Sequence, residues 1–199
     1  MALAELIADP DAGVTDIAAL LDAMQPDART ALLRTLGRAQ QRALYAKADP
    51  ASMDLGHLVG RAGPLVEVIH DGWNTLPVPP PIRRFQKRFC RPADPSAEYL
   101  FGYNEGPTRR LLGPGYFVAR PGRRDPVEGG VVVDYHRVPG AAVPSGWPPV
   151  VANSHGLQRF VYQHARDHLR RVSAEVCVGA AYKRDQPLDH YFILCRRPA

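Results

Sequence analysis

The sequence has few cysteines, no long apolar run and no sign of a leader. Three cysteines among 199 residues do not form the paired framework that is typical of secreted domains. No uncharged apolar run approaches the roughly 20 residues that a membrane-spanning helix requires. The first ten residues carry Glu5 and Asp9 and lack the basic and apolar regions of a secretory signal. We therefore expect reduced thiols, no membrane partner and a cytoplasmic location.

Signatures of catalysis and cofactor binding are also missing. The glycines at 113, 115, 129 and 130 have neither the Lys-Ser/Thr of a phosphate loop nor the spacing of a dinucleotide fingerprint. Ser145 lies between Pro144 and Gly146 and does not match the Gly-x-Ser-x-Gly of a nucleophile elbow. No cofactor is indicated, and a non-enzymatic role is favoured.

Charge divides the chain unevenly. Residues 1–60 hold five basic and eight acidic groups, a net charge of −3, whereas residues 61–199 hold 20 basic and 12 acidic groups, a net charge of +8. The division coincides with a change of pattern from helical to strand-like. We therefore predict a helical N-terminal segment over 1–60 and a β-rich body over 61–199, and we expect any anionic partner to meet the second part.

The N-terminal segment has the apolar spacing of helices. Thr15 is a suitable N-cap for a helix over 16–24, and Pro26 suits the first turn of a second helix that continues to about residue 48. A third, short helix is indicated around 53–59. The segment has apolar positions to spare, so a homodimer formed through these helices is one expectation.

Beyond residue 64, short strand-like runs alternate with glycine and proline turns. Strands are predicted at about 65–70, 85–91, 98–103, 115–120 and 131–138, followed by a hairpin of 175–183 with 190–197. Centring its turn on Gln186 places Val178 opposite Leu194 and Cys177 opposite Cys195. Helices followed by strands predict an α+β fold, in which an antiparallel sheet curls into a barrel or half-barrel.

The stretch 154–171 has two interpretations. Its apolar residues recur at helical spacing, with Ser154 as a plausible N-cap, but 159–163 alone could form a strand. On a helix, His164 and His168 would lie one turn apart and could bind one metal ion in a metal-dependent enzyme, with His155 or a distant carboxylate such as Asp134 as a third ligand. Ordinary hydrogen-bonded histidines are the alternative.

A basic and aromatic run offers a second type of site. Cations interleaved with Phe85 and Phe89 can contact a nucleic-acid or other polyanion backbone, or can form a solvated face that covers the rings. The candidate anion-binding residues are Arg83, Arg84, Lys87, Arg88 and Arg91.

Polar and aromatic residues within the predicted strands offer a third. Tyrosine hydroxyls and a few charges can orient a small apolar or aromatic ligand in a cavity, or can lie at the boundary between core and solvent. The candidate ligand-binding residues are Tyr99, Phe101, Tyr103, Asp134, His136 and Tyr162.

The C-terminal third resembles a known family. The runs 160–162, 167–173 and 191–196, with Gly179 between the last two, resemble the closing strands of small lipocalin-like, calycin-type barrels over about 40 residues. The Gly-x-Trp that opens such barrels has no clear counterpart, because prolines from Pro77 follow Gly72-Trp73 almost at once. The resemblance implies a barrel with a cavity for a small hydrophobic ligand, and it brings no catalytic residue.

Overall fold

The computed structural model describes residues 2–122 and 130–198 of the chain. Its N-terminal part consists of α1 (Leu3–Ala8), α2 (Val14–Asp22), α3 (Pro26–Leu33), α4 (Arg38–Lys47) and α5 (Leu55–Val59), with a 3-10 turn at Pro50–Ser52. Side chains accept from backbone amides at the starts of four of these helices, each at 2.8 Å: Glu5 at α1, Asp16 at α2, Gln40 at α4 and Asp54 at α5. These contacts satisfy N–H groups that a helix start leaves free.

The remainder of the described chain is built on eight strands. They are β1 (Val68–Asn74), β2 (Arg84–Cys90), β3 (Leu100–Glu105), β4 (Phe117–Pro121), β5 (Val131–Asp134), β6 (Ala165–Arg171), β7 (Val176–Lys183) and β8 (Gln186–Arg196). Single helical turns, α6 (Pro80–Arg83), α7 (Arg109–Leu112) and α8 (Gln158–Val161), lie in the connections.

The strands form a closed antiparallel barrel. Each strand pairs with the next, and β1 pairs with β8 over a register that runs from His70 opposite Arg196 to Asn74 opposite Phe192. The α+β prediction is confirmed, and the sheet is a full barrel rather than a half-barrel. No helix among the described residues is long and apolar enough to cross a membrane.

Alternate residues of the strands fill the interior of the barrel. Phe117, Val133 and Leu169 belong to one buried cluster, as the two-residue period of a strand requires. Met53 and Leu58, from the segment that precedes β1, belong to the same cluster. This segment therefore covers one end of the barrel.

The helices pack on the outside of the last two strands. Leu21 and Leu44 share a buried cluster with Val178 of β7 and Ile193 of β8. The apolar positions that suggested a homodimer are thus used within the chain, and the dimer stays a prediction. The domain division at residue 60 also stays a prediction, since the two parts share this cluster.

The continuous second helix predicted over 26–48 is wrong. The chain forms two helices, α3 and α4, that are separated by residues 34–37. Gly37 begins α4 in an extended conformation, with φ −79° and ψ 179°. Any residue adopts this extended conformation, but glycine in a helix interior costs about 1 kcal/mol relative to alanine, so Gly37 favours an interruption there.

The helical prediction for 154–171 is also wrong over most of its length. Only Gln158–Val161 is helical, and β6 begins at Ala165. His164 ends the turn with a positive φ of 63°. The misleading pattern arises because Asp167, His168 and Leu169 are all buried, so β6 lacks the alternation of a strand with one exposed face.

The predicted C-terminal hairpin is present with a different register. Val178 lies opposite Ile193 and Cys177 opposite Leu194, one residue away from the predicted pairing, with an irregularity at Ala181/Tyr182. Cys177 therefore belongs to the interior cluster and Cys195 to the cluster beneath the helices.

Candidate ligand-binding site

A cavity of about 350 Å³ opens at the end of the barrel opposite the covered one. It lies where β1, β3 and β7 end and β2, β6 and β8 begin. Apolar and aromatic side chains, among them Phe85, Ala165, Ala181 and Phe192, form most of its walls. A cavity of this size and lining is typical of small-molecule sites.

The mouth of the cavity carries exposed apolar side chains. Leu76, Ile82, Val161 and Leu188 line the cavity and are each between 38% and 43% exposed. Leu76 and Ile82 come from the β1–β2 connection and Val161 from the β5–β6 connection, whereas Leu188 belongs to the first turn-proximal residues of β8. An apolar ligand entering here would pass an apolar rim before reaching the interior.

A buried ion pair lies on the cavity wall inside the barrel. The ammonium of Lys87 is 2.9 Å from Asp167 Oδ2, and the two side chains are 2% and 9% exposed. Lys87 Nζ also donates to Asn104 Oδ1 at 3.0 Å and to the Tyr135 hydroxyl at 2.5 Å. The Tyr135 hydroxyl in turn donates to Asp167 Oδ2 at 3.1 Å. All four residues line the cavity, and we call them the polar cluster.

Aromatic rings surround the ammonium group of Lys87. Its Nζ lies 5.0 Å from the ring centroids of Phe117 and Tyr135, 5.1 Å from that of Phe192 and 5.8 Å from that of Phe85. Ring faces attract a cation more strongly when it is removed from water. The rings and the carboxylate together compensate for the lost hydration of the lysine.

Burial dominates the electrostatics of the polar cluster. It lowers the pKa of Lys87, and the Asp167 carboxylate opposes this shift. Burial, followed by the charge of Asp167, raises the pKa of Tyr135 well above its ordinary value. Tyr135 therefore remains a neutral hydrogen-bond donor throughout the physiological pH range.

Further polar groups of the cavity wall lack partners among the described residues. Tyr162 stacks on Tyr135 with ring centroids 5.2 Å apart, and its hydroxyl makes no hydrogen bond within the described chain. Burial, followed by the charge of Asp167, raises the pKa of Tyr162 to about 12. His190 also lines the cavity, and its Nδ1 has no partner in the described part of the chain. These groups are available to a ligand.

Of the six candidate ligand-binding residues, Tyr162 lines the cavity and the others do not. Phe101 and Tyr103 lie outside the barrel in a cluster with Trp147, and Tyr99 packs beside Phe101.

Asp134 and His136 make their contacts outside the cavity. Asp134 accepts from the His136 amide at 3.0 Å and lies 3.6 Å from the guanidinium of Arg120. Because Val131 and Val133 of β5 face the interior, Asp134 faces outward.

The five candidate anion-binding residues do not share one surface. Lys87 points into the barrel, whereas Arg88 points outward and pairs with Glu67 at 3.0 Å. Arg83 donates to the Val78 carbonyl at 2.9 Å, and Arg91 donates to the carbonyls of Gly60 and Ala62. Arg84 is exposed at the mouth of the cavity. The arrangement leaves few of these cations free for a polyanion.

The candidate metal ligands lack the helical geometry on which their pairing depended. His168 lies within β6 and its ring contacts Tyr182 at 4.5 Å, whereas His164 precedes the strand and its ring lies 5.4 Å from that of His136. Four residues of strand span about 13 Å, too far for two ligands of one ion. No group of three or more His, Cys, Asp or Glu side chains suited to a metal ion occurs in the described parts of the chain, and His155 is exposed.

Asp167 and Asn104 were not predicted as site residues, and Lys87 was predicted on an anion-binding surface but points into the barrel. One signal could have identified Lys87: within β2 it shares the two-residue period of Phe85 and Phe89, whereas Arg84 and Arg88 have the opposite parity. A lysine on the aromatic face of a strand is a candidate buried cation.

No protein-family model matches the chain, and no curated protein matches it in sequence. The findings therefore define this protein by its fold: N-terminal helices and an eight-stranded antiparallel closed barrel.

Proposed function

We propose that the protein is a non-enzymatic binding module whose lipocalin-like barrel holds one small apolar or aromatic ligand. The observation that carries the proposal is the cavity of about 350 Å³ inside an otherwise filled barrel. Packed protein interiors contain few voids much larger than a water molecule. An apolar cavity of this size that opens through an apolar rim is suited to a ligand.

The chemistry of the wall supports binding rather than catalysis. The ionisable groups at the inner wall, Lys87 and Asp167, are bound to each other, and Tyr135 is held as a neutral donor. Their hydrogen bonds make the inner wall rigid, and such a preorganised polar wall orients a ligand at little entropic cost.

A neutral fluorescent probe, N-phenyl-1-naphthylamine, tests the proposal. We expect saturable binding at one site and a blue shift of the probe emission. Ala181 lines the cavity, so the Ala181→Phe variant should place a ring in the ligand space and weaken binding by at least about tenfold, a difference of about 1.4 kcal/mol. Ala142→Phe adds the same ring at an exposed loop position and serves as the control. Equal probe affinity in the wild type and in Ala181→Phe would contradict the proposal.

A further inference from the structure

The charges at the inner end of the cavity are already balanced. An ammonium group has three N–H donors, and those of Lys87 are directed to Asp167, Asn104 and Tyr135. The single positive charge is matched by the single negative charge of Asp167. The polar cluster therefore has neither a free cationic donor for a ligand anion nor a surplus negative charge for a ligand cation.

A charged group on the ligand would be without a counter-ion at this depth. A buried ion that lacks a partner is strongly disfavoured, because it loses its hydration without replacement. At the mouth, Arg109 is bound to Glu105 at 2.7 Å, and Arg84 is exposed to solvent, where an ion pair contributes little. A carboxylate held at the mouth would also leave its apolar tail against the polar cluster.

Hydrogen-bonding capacity nevertheless remains at the inner end. The Tyr162 hydroxyl has no partner among the described residues, and burial keeps it protonated as a donor. Lys87 and Tyr135 both contact Oδ2 of Asp167, so Oδ1 receives no hydrogen bond within the described chain. One donor and one acceptor are left on the same cavity wall.

A hydroxyl group is the smallest uncharged group that both accepts and donates in this way. We propose that the cavity selects apolar alcohols or phenols, whose hydroxyl accepts from Tyr162 and donates to Asp167, over carboxylates and amines of the same size. This inference rests on the proposed function and names the chemical class of its ligand.

Competition against N-phenyl-1-naphthylamine at pH 7 tests the selectivity. We expect 1-octanol to displace the probe at concentrations at least about tenfold lower than octanoate or octylammonium, which have chains of the same length. Octanoate or octylammonium competing as well as 1-octanol would overturn the inference while leaving the proposed function intact. Failure of the probe itself to bind would overturn the proposed function.

Two tyrosine variants test the residue assignment. Tyr162→Phe should weaken 1-octanol binding by roughly threefold to tenfold, the usual effect of losing one hydrogen bond, and should leave ethylbenzene binding unchanged. Tyr45→Phe is the control, because the Tyr45 hydroxyl is buried without a hydrogen-bond partner among the described residues but belongs to α4, outside the cavity. Equal 1-octanol affinity in Tyr162→Phe and Tyr45→Phe would overturn the role of Tyr162.

A charge variant tests the electrostatic argument. Asp167→Asn keeps the shape of the side chain but leaves the positive charge of Lys87 unbalanced, so octanoate should become the best of the three competitors. Circular dichroism would establish that this variant is folded. If it does not fold, the wild-type competition series decides the inference alone. A folded Asp167→Asn that still prefers 1-octanol would overturn it.

Discussion

Loss of Lys87 should destabilise the barrel far more than loss of its neighbour Arg88. In Lys87→Met the side chain still fills the space among the four rings, but Asp167 loses its counter-ion and, among the described residues, keeps the hydrogen bond from Tyr135 alone. Arg88 is the matched control, because it follows Lys87 directly in β2 and forms its ion pair, with Glu67, on the outer surface of the barrel.

The magnitudes follow from burial. The Lys87–Asp167 side chains are 2% and 9% exposed, whereas those of Arg88–Glu67 are 24% and 26% exposed. Removing one member of a buried pair costs about 3–5 kcal/mol, because the remaining charge is uncompensated. Removing one member of a solvent-accessible pair costs about 0–1 kcal/mol.

Urea unfolding, followed by tryptophan fluorescence, measures Lys87→Met and Arg88→Met, and the single variant Asp167→Leu together with a double variant completes the cycle. Lys87→Met combined with Asp167→Leu removes both charges, and its free energy of unfolding should lie within about 2 kcal/mol of the wild type. Two results would refute the reasoning: a Lys87→Met cost no larger than that of Arg88→Met, or a double variant that loses the sum of the two single costs.

Two further predictions concern the same barrel. Burial lowers the pKa of His70 to about 3, so between pH 6.5 and 3 the unfolded chain binds a proton that the folded chain does not, and stability is lost as the pH falls. At pH 4.5 this loss is about 2–3 kcal/mol. Between pH 7 and pH 4.5 the urea midpoint should therefore fall less in His70→Gln than in the wild type, and an equal fall in the two proteins would contradict this prediction. Gly102→Ala would bring a methyl group into the Phe117 ring and should cost about 1–3 kcal/mol, whereas Gly140→Ala meets no atom within 4 Å and should cost little. Thermal unfolding measures the Gly102→Ala effect, and identical midpoints for the two glycine variants would contradict it.

The sequence predicts strands and their faces better than it predicts how they are paired. The C-terminal hairpin was evident from its apolar runs, but its register depends on a turn that the residue types do not signal. Arg184 and Asp185 adopt positive φ values of 51° and 62° in a two-residue connection. Such turns usually contain glycine or asparagine, so the connection was predicted to be longer.

The candidate site was harder to predict from the sequence than the strands were, because its residues come from strands that are distant in the chain. Lys87 and Asp167 are 80 residues apart in the chain and lie on β2 and β6, which are not neighbours in the barrel. Only closure of the sheet makes their side chains meet across the interior. Tyr162 was identified as a site residue, since tyrosine in an apolar stretch is a general indicator of a polar group near a core.

The packing of the helices on β7 and β8 constrains the order in which the chain can fold during synthesis. The apolar faces of α1–α4 are made first, but the strands that cover them are made last: Arg170, which donates to the Tyr45 carbonyl, follows it by 125 residues. Pairing of β1 with β8 must wait equally long. Because domains fold as units while the chain emerges, the helices remain uncovered on the ribosome until nearly the whole barrel has been made. A chaperone that shields apolar helices should therefore act on this nascent chain early and be released when β8 joins β1.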